Sequence, residues 1–182
     1  LNLISSTTVG AVTNFTINDC FNATYTNYMI VITNLMANED GNLRMRLTNG
    51  GNSENSANYR FAGTGFDRGG SARTYSGHDN TSFNISNSAD GDDANSGTFG
   101  IYFISSPFLS GNPRKNITGH YKNSHTGGNS IDATYNFAGT FEVSNYSADG
   151  LFFFCDGSGA DFRSGNTSTG KGLIKIYGIS DS

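Results

Sequence analysis

Apolar and polar residues alternate along most of this chain. Over residues 42–48, Leu43, Met45 and Leu47 share one face while Arg44, Arg46 and Thr48 share the other. That spacing is the mark of a half-buried antiparallel strand. The same period of two runs through Ile131, Ala133, Tyr135, Phe137, Gly139, Phe141 and Val143, with Asp132, Thr134, Asn136, Thr140 and Glu142 opposite. Phe83 and Ile85 alternate with Asn84 and Ser86, and Phe99, Ile101 and Phe103 face away from Tyr102 and Ile104. Near the C-terminus Leu173, Tyr177 and Ile179 flank Lys175, with Ile174 and Ile176 on the reverse face. Residues 28–32 are apolar on both faces, as a central strand requires.

No stretch carries the i, i+3, i+4, i+7 spacing of an amphipathic helix with capping signals. The pattern predicts strands at 1–6, 13–18, 28–34, 42–48, 58–62, 81–87, 98–105, 116–122, 130–143 (broken or bulged), 150–155 and 172–179. Turn signals such as Asn49-Gly50-Gly51, Asp90-Gly91 and Asp149-Gly150 separate them. An all-β fold follows: an antiparallel two-sheet sandwich of jelly-roll type, with little or no helix, formed by residues 1–182 as a single domain. Asn, Ser and Gly cluster at 49–58, 63–80 and 86–97. These segments read as surface loops with short strands between them.

Composition narrows the function. Of 182 residues only 14% are charged, about half the usual share of a globular chain. Within a modest 35% hydrophobic content, the 14 Phe and 9 Tyr supply material for a core. A net charge of −4 and the lack of a Lys/Arg-rich stretch exclude nucleic acid as a partner, since basic charge must displace phosphate counterions. The longest apolar runs, 29–32 and 151–155, fall far short of a membrane-spanning helix, so no membrane partner is expected. No basic segment followed by a long apolar one opens the chain, so a signal peptide is not expected either; Leu1 is not a start methionine. Cys20 and Cys155 are too few for a disulfide framework. They pair across the fold or, on the preferred reading, remain two buried thiols.

Candidate chemistry is sparse. Residues 165–171 match the phosphate-loop pattern up to Lys171, but Gly172 stands where a Ser or Thr hydroxyl should meet the metal. The segment also opens a strand where a phosphate loop opens a helix, which makes it a Gly-rich loop. Asp90, Asp92 and Asp93 gather carboxylates as a calcium site does, yet their order does not fit an EF-hand loop. A solvated acidic turn is the plainer reading. His78, His120 and His125 lack zinc spacing, and there is no serine-hydrolase elbow. Glu142 and Asp132 share a strand face without any sign of enclosure. Sequons at Asn14, Asn22, Asn80, Asn84, Asn116, Asn145 and Asn166 are chance matches in an Asn-rich chain. No enzymatic activity and no cofactor are expected.

Longer motifs point to a family. The opening Leu1-Asn2-Leu3-Ile4-Ser5-Ser6-Thr7-Thr8 leads to a strand around Tyr25 and Tyr28. After it come the turn Asp40-Gly41 and the strand Asn42-Leu43-Arg44-Met45-Arg46-Leu47. A Gly/Asn/Ser loop then closes on Asn58-Tyr59-Arg60-Phe61-Ala62. The chain ends with Gly170-Lys171-Gly172-Leu173-Ile174-Lys175-Ile176-Tyr177-Gly178-Ile179. This order resembles a module of bacteriophage virion proteins, especially of marine and cyanobacterial phages. The resemblance covers both ends and most of the chain between, with looser agreement at 63–97 and 105–130. It implies a β-sandwich part of a tail fibre, another appendage or a capsid-surface decoration. It offers no catalytic residues, and it makes Tyr25 and Tyr28 core-edge residues and Gly178 a close-packing or bulge position.

Two functions are therefore expected as alternatives. The first is a non-enzymatic virion structural protein on the particle surface, in an appendage or as capsid decoration. Its partners would be other virion proteins and copies of itself, a homotrimer being favoured, joined through an exposed apolar seam, and its loops would contact the host. The second is a carbohydrate-binding module for a host surface glycan. Tyr59, Phe66, Tyr75, Tyr121 and His120 would stack on sugar rings while Arg60, Arg68 and Arg73 bond hydroxyls. The plainer reading of most of these aromatics is core, and the chain has no Trp, the usual stacking platform.

Overall fold

Alternation becomes strand at nearly every stretch that carries it. The computed structural model describes residues 1–37, 41–89, 97–111, 114–124, 133–157, 159, 161–163 and 172–180. Among these run β1 (Asn2–Val9), β2 (Asn14–Ile17), β3 (Asn27–Leu35), β4 (Gly41–Asn49), β5 (Asn52–Ser53), β6 (Tyr59–Asp67) and β7 (Ala72–Asn80). They continue with β8 (Phe83–Ala89), β9 (Gly97–Ser105), β10 (Arg114–Ser124), β11 (Ala133–Glu142), β12 (Gly150–Cys155) and β13 (Gly172–Ile179). The described residues contain no helix.

The strands form two antiparallel sheets. An eight-stranded sheet runs in the order β1-β13-β3-β9-β10-β11-β6-β7. The smaller sheet runs β2-β12-β4, with β5 and β8 both pairing with the other side of β4. A simple rule appears once β5–β7 and β10–β11 are set aside. The first strand pairs with the last (β1 with β13), the second with the next to last (β2 with β12), then β3 with β9 and β4 with β8. This is a long hairpin folded over on itself, the jelly roll that the alternation predicts. Its sheets are β1-β13-β3-β9 and β2-β12-β4-β8. Both excursions widen the first sheet: β10 and β11 continue from β9, and the β6–β7 hairpin completes the edge.

The core lies between the sheets. Tyr28, Ile30, Tyr102, Ile104, Ile174 and Ile176 of the large sheet join Leu43, Met45, Leu47, Phe83, Leu151 and Phe153 of the small one in a single cluster. Each is essentially inaccessible to water, and burying a side chain of this size contributes roughly 1.5–3 kcal/mol. The added strands carry an aromatic inner face. Tyr121 stacks on Tyr135 with ring centres 5.0 Å apart, and Phe137 sits among Phe61, Phe83 and Tyr102. Where polar groups enter, they tie the sheets together. Ser86 of β8 and Thr98 of β9 both donate to the side-chain oxygen of Asn123 on β10, at 2.9 and 3.1 Å.

Two expectations need correction. Residues 63–80 are not a loop, because they form most of the β6–β7 hairpin, with only the turn at its tip irregular. The glycines there serve packing. Gly63 lies opposite Tyr75, whose ring occupies the space that a Cβ would need. Gly178 is likewise covered by the ring of Tyr25, a close-packing position. The second correction concerns the strand expected to be broken at 130–143. Over Ala133–Glu142 it pairs with β10 and β6 in unbroken register.

Candidate functional site

Cross-strand register sorts the outward side chains of the large sheet into rows. In the jelly-roll half one row reads Leu3, Tyr177, Met29, Phe103, and the next reads Lys175, Val31, Ile101. Phe99 stands two residues further along β9. The same rows continue into the added strands as Thr118, Ala138, Ala62, Ser76 and as His120, Asn136, Thr64, Thr74. One half of this sheet face is thus largely apolar, and the other is mostly small or polar, apart from Phe66, Arg60 and Lys122.

The apolar half is open to water. Phe99, Ile101 and Phe103 are 42%, 43% and 44% exposed and Leu3 is 56% exposed, while Met29 and Val31 beside them are half-buried. Met29, Val31, Phe99, Ile101 and Phe103 line a shallow groove of about 470 Å³, completed by His120, Lys122 and Thr134. Contiguous exposed apolar surface of this kind is unfavourable in water, at about 25 cal/mol for each Å².

The two sheet edges differ in the same sense. β1 has no charged residue and no proline along Asn2–Val9. β7 carries Arg73, His78 and Asp79. There Arg73 bridges Asp67 at 2.8 Å, Arg60 approaches Asp79 at 3.6 Å, and the register shifts between Tyr59 and Phe61. Charge and bulge are the usual devices that stop an edge strand from pairing; β1 has a single register shift and no charge.

The residues singled out for sugar binding do not gather. Tyr59 is in the core, accepting from the Leu47 amide at 3.1 Å and donating to the Glu54 carbonyl at 2.9 Å. Burial holds its phenol protonated above the ordinary tyrosine range. Tyr121 is 2% exposed, and Tyr75 is half-buried against Tyr121 and Tyr135. Arg60 points outward to Asp79 and Glu142, Arg73 is held by Asp67, and Arg68 lies exposed in the hairpin turn. Phe66 is 65% exposed on the outer face, two strands from Lys122. His120 is exposed beside the groove.

A second constellation was not legible in the sequence. On the outer face of the small sheet Arg46 lies over Phe154 at 4.5 Å and over Phe152 at 6.0 Å, donating from Nε to the Thr81 carbonyl. Arg44 bridges Asp156 at 2.5 Å. Burial works against the Asp156 carboxylate, but the Asn42 amide and Arg44 outweigh it and hold its pKa down. With Arg46 engaged by Thr81 and Arg44 by Asp156, this cluster fastens the sheet.

Elsewhere the described residues offer little chemistry. No group of three His, Cys, Asp or Glu among them stands close enough to hold a metal, and none of their helices crosses a membrane, there being none. Glu142 is engaged by Arg60 and Arg114 at 3.2 and 3.1 Å. Cys20 and Cys155 are free thiols, which answers the question of their pairing. Burial pushes the Cys155 thiol up to about 12 and the Cys20 thiol higher still. Asp90, Asp92, Asp93, Asp132, His125 and the segment 165–171 lie outside the described residues. No family model, curated protein or solved structure matches this chain.

Proposed function

We propose that this chain is a non-enzymatic structural protein of a bacteriophage particle, displayed at the particle surface and assembled through the outer face of its large sheet. The observation that carries the reading is that apolar face. Phe99, Ile101 and Phe103 stand exposed beside the half-buried Met29 and Val31 in one continuous apolar patch. The motifs shared with phage virion modules supply the setting, a tail fibre, another appendage or a capsid decoration. The weakly charged Asn/Ser/Gly surface fits a component whose work is contact. The tip of the β6–β7 hairpin and the segment 49–58 are the parts assigned to host or neighbour contact; residues 86–89 of the expected loop 86–97 belong to β8, and 90–96 lie outside the described residues.

The test is to look for the chain in purified particles by mass spectrometry and to place it by electron microscopy. Density on the particle surface supports the reading. High copy number over the capsid assigns decoration, and low copy number confined to the tail assigns a fibre or appendage. Absence from intact particles contradicts it.

A further inference from the structure

We propose that the centre of the outer face, on β13, β3, β9 and β10, packs against the same four strands of a second copy of this chain. The two copies are related by a two-fold axis that runs parallel to the strands, between β3 and β9. This names the partner of the assembly face described above and rests on that reading of the face.

The shape of the face favours a copy of itself. On β9, Phe99, Ile101 and Phe103 stand out, while on the adjacent β3 their cross-strand partners Met29 and Val31 sit lower. A two-fold axis between the strands exchanges them. Phe103 then meets Met29 of the second copy and Ile101 meets Val31 of the second copy, so each ridge enters the other's trough. Stacked sheets pack about 10 Å apart with side chains interdigitated in this way.

The charges agree. Among the described residues, the formal charges on the outward rows of β13, β3, β9 and β10 are the cations Lys175 and Lys122, with Arg114 at the far end of β10, where it pairs with Glu142. Under the exchange, β13 lies over β10 of the second copy. Lys175 then lies over His120 and Lys122 over Leu173, so the two lysines do not meet. They fall at the margin, as in ordinary interfaces with an apolar centre and a polar rim.

The area is sufficient. The four strands that overlie one another, at about 4.8 Å spacing and with roughly eight residues at about 3.3 Å, give a face of about 500 Å² in projection. Side-chain relief raises the accessible area toward the roughly 800 Å² per partner of a stable interface.

Sedimentation equilibrium of the full chain at tens of micromolar decides the matter. The expected result is twice the 19.4 kDa chain mass, unchanged at raised salt because the contact is apolar. Ile101→Glu places an unpaired carboxylate in the centre and is expected to weaken association at least about 100-fold while leaving the circular-dichroism spectrum of the folded chain unchanged. Phe103→Thr, which is milder and suits a strand, serves if the glutamate variant misfolds. Thr64→Glu, on the polar half, is expected to associate like the native chain. A monomer, a trimer, or an Ile101→Glu chain that associates like the native one overturns the proposal. Particle location is measured separately, so a monomeric chain found in particles removes this inference alone, and a dimer absent from particles removes only the virion reading.

Discussion

The two halves of the eight-stranded sheet are a comparison built into one molecule. Inside, both halves are closed by large apolar and aromatic side chains, Tyr28, Ile30 and Tyr102 in one and Tyr121, Tyr135 and Phe137 in the other. Outside they part. The jelly-roll half presents Met29, Val31, Phe99, Ile101 and Phe103 and ends in an uncharged edge strand. The added half presents Thr118, Asn136, Thr64 and Thr74 and ends in an edge studded with charge. The added half, where Phe66 is the one large apolar side chain among these outward residues, shows that part of this sheet folds with a mostly polar exterior. The assembly proposed above is what the apolar exterior of the other half is taken to serve.

The largest effect that could break this comparison is on the inside. Phe137→Ala, which strips a ring from contact with Phe61, Phe83 and Tyr102, is expected to cost about 3–5 kcal/mol in denaturant unfolding. Phe103→Ala on the outer face should cost under about 1 kcal/mol in the monomer. Equal losses would mean that the outer face is part of the fold after all.

Alkaline pH sharpens the contrast between halves. Burial raises the pKa of Tyr59, Tyr75 and Tyr102 above the ordinary value. The folded state keeps these protons while the unfolded chain releases them near pH 10. Stability is therefore fully present below that pH and falls as pH rises above it, by up to about 1.4 kcal/mol per unit for each such phenol. Cys155, pushed up to about 12, adds to the loss from about pH 9 onward. Urea melts at pH 7, 9 and 10.5 should show a steepening decline, and a flat profile would contradict the burial described.

Smaller changes probe the added half alone. Gly63→Ala drives a methyl group into the Tyr75 ring and is expected to cost about 1–3 kcal/mol. Adding Tyr75→Ala should remove most of that penalty, as a double-mutant cycle measures. Arg60→Ala, which breaks exposed pairs with Asp79 and Glu142, should shift stability by no more than about 1 kcal/mol. A larger loss would give the charged edge a structural weight that its exposure does not support.

Much of this architecture was legible as alternation. The jelly roll, the absence of helix and the double-faced apolar character of β3 all follow from a period of two. What alternation does not reveal is which parity faces inward when both are apolar. Tyr102 and Ile104 turn inward and Phe99, Ile101 and Phe103 outward, and the two sets look equally suited to a core. Glycine misled as well, since Gly63 and Gly65 suggest a loop until the tyrosines that cover them are placed across the sheet. The sugar-site candidates failed to gather for a related reason. Neighbours on a strand point to opposite faces, so Tyr59 and Arg60, adjacent in sequence, lie on opposite sides of the sheet. The Arg46 stack on Phe152 and Phe154 needed the β4–β12 pairing, which joins residues some hundred positions apart.

Cross-linking through single introduced cysteines tests the assembly face most directly. The two native thiols are poor nucleophiles at neutral pH, one fully buried and the other pushed up to about 12, and should stay silent. With the axis between β3 and β9, the two copies of position 103 lie about 11 Å apart, whereas those of position 62, in the same row but three strands further out, lie more than about 30 Å apart. A short bismaleimide should therefore join Phe103→Cys chains into covalent dimers and leave Ala62→Cys chains single. Equal cross-linking of both variants, or of neither, would contradict the account.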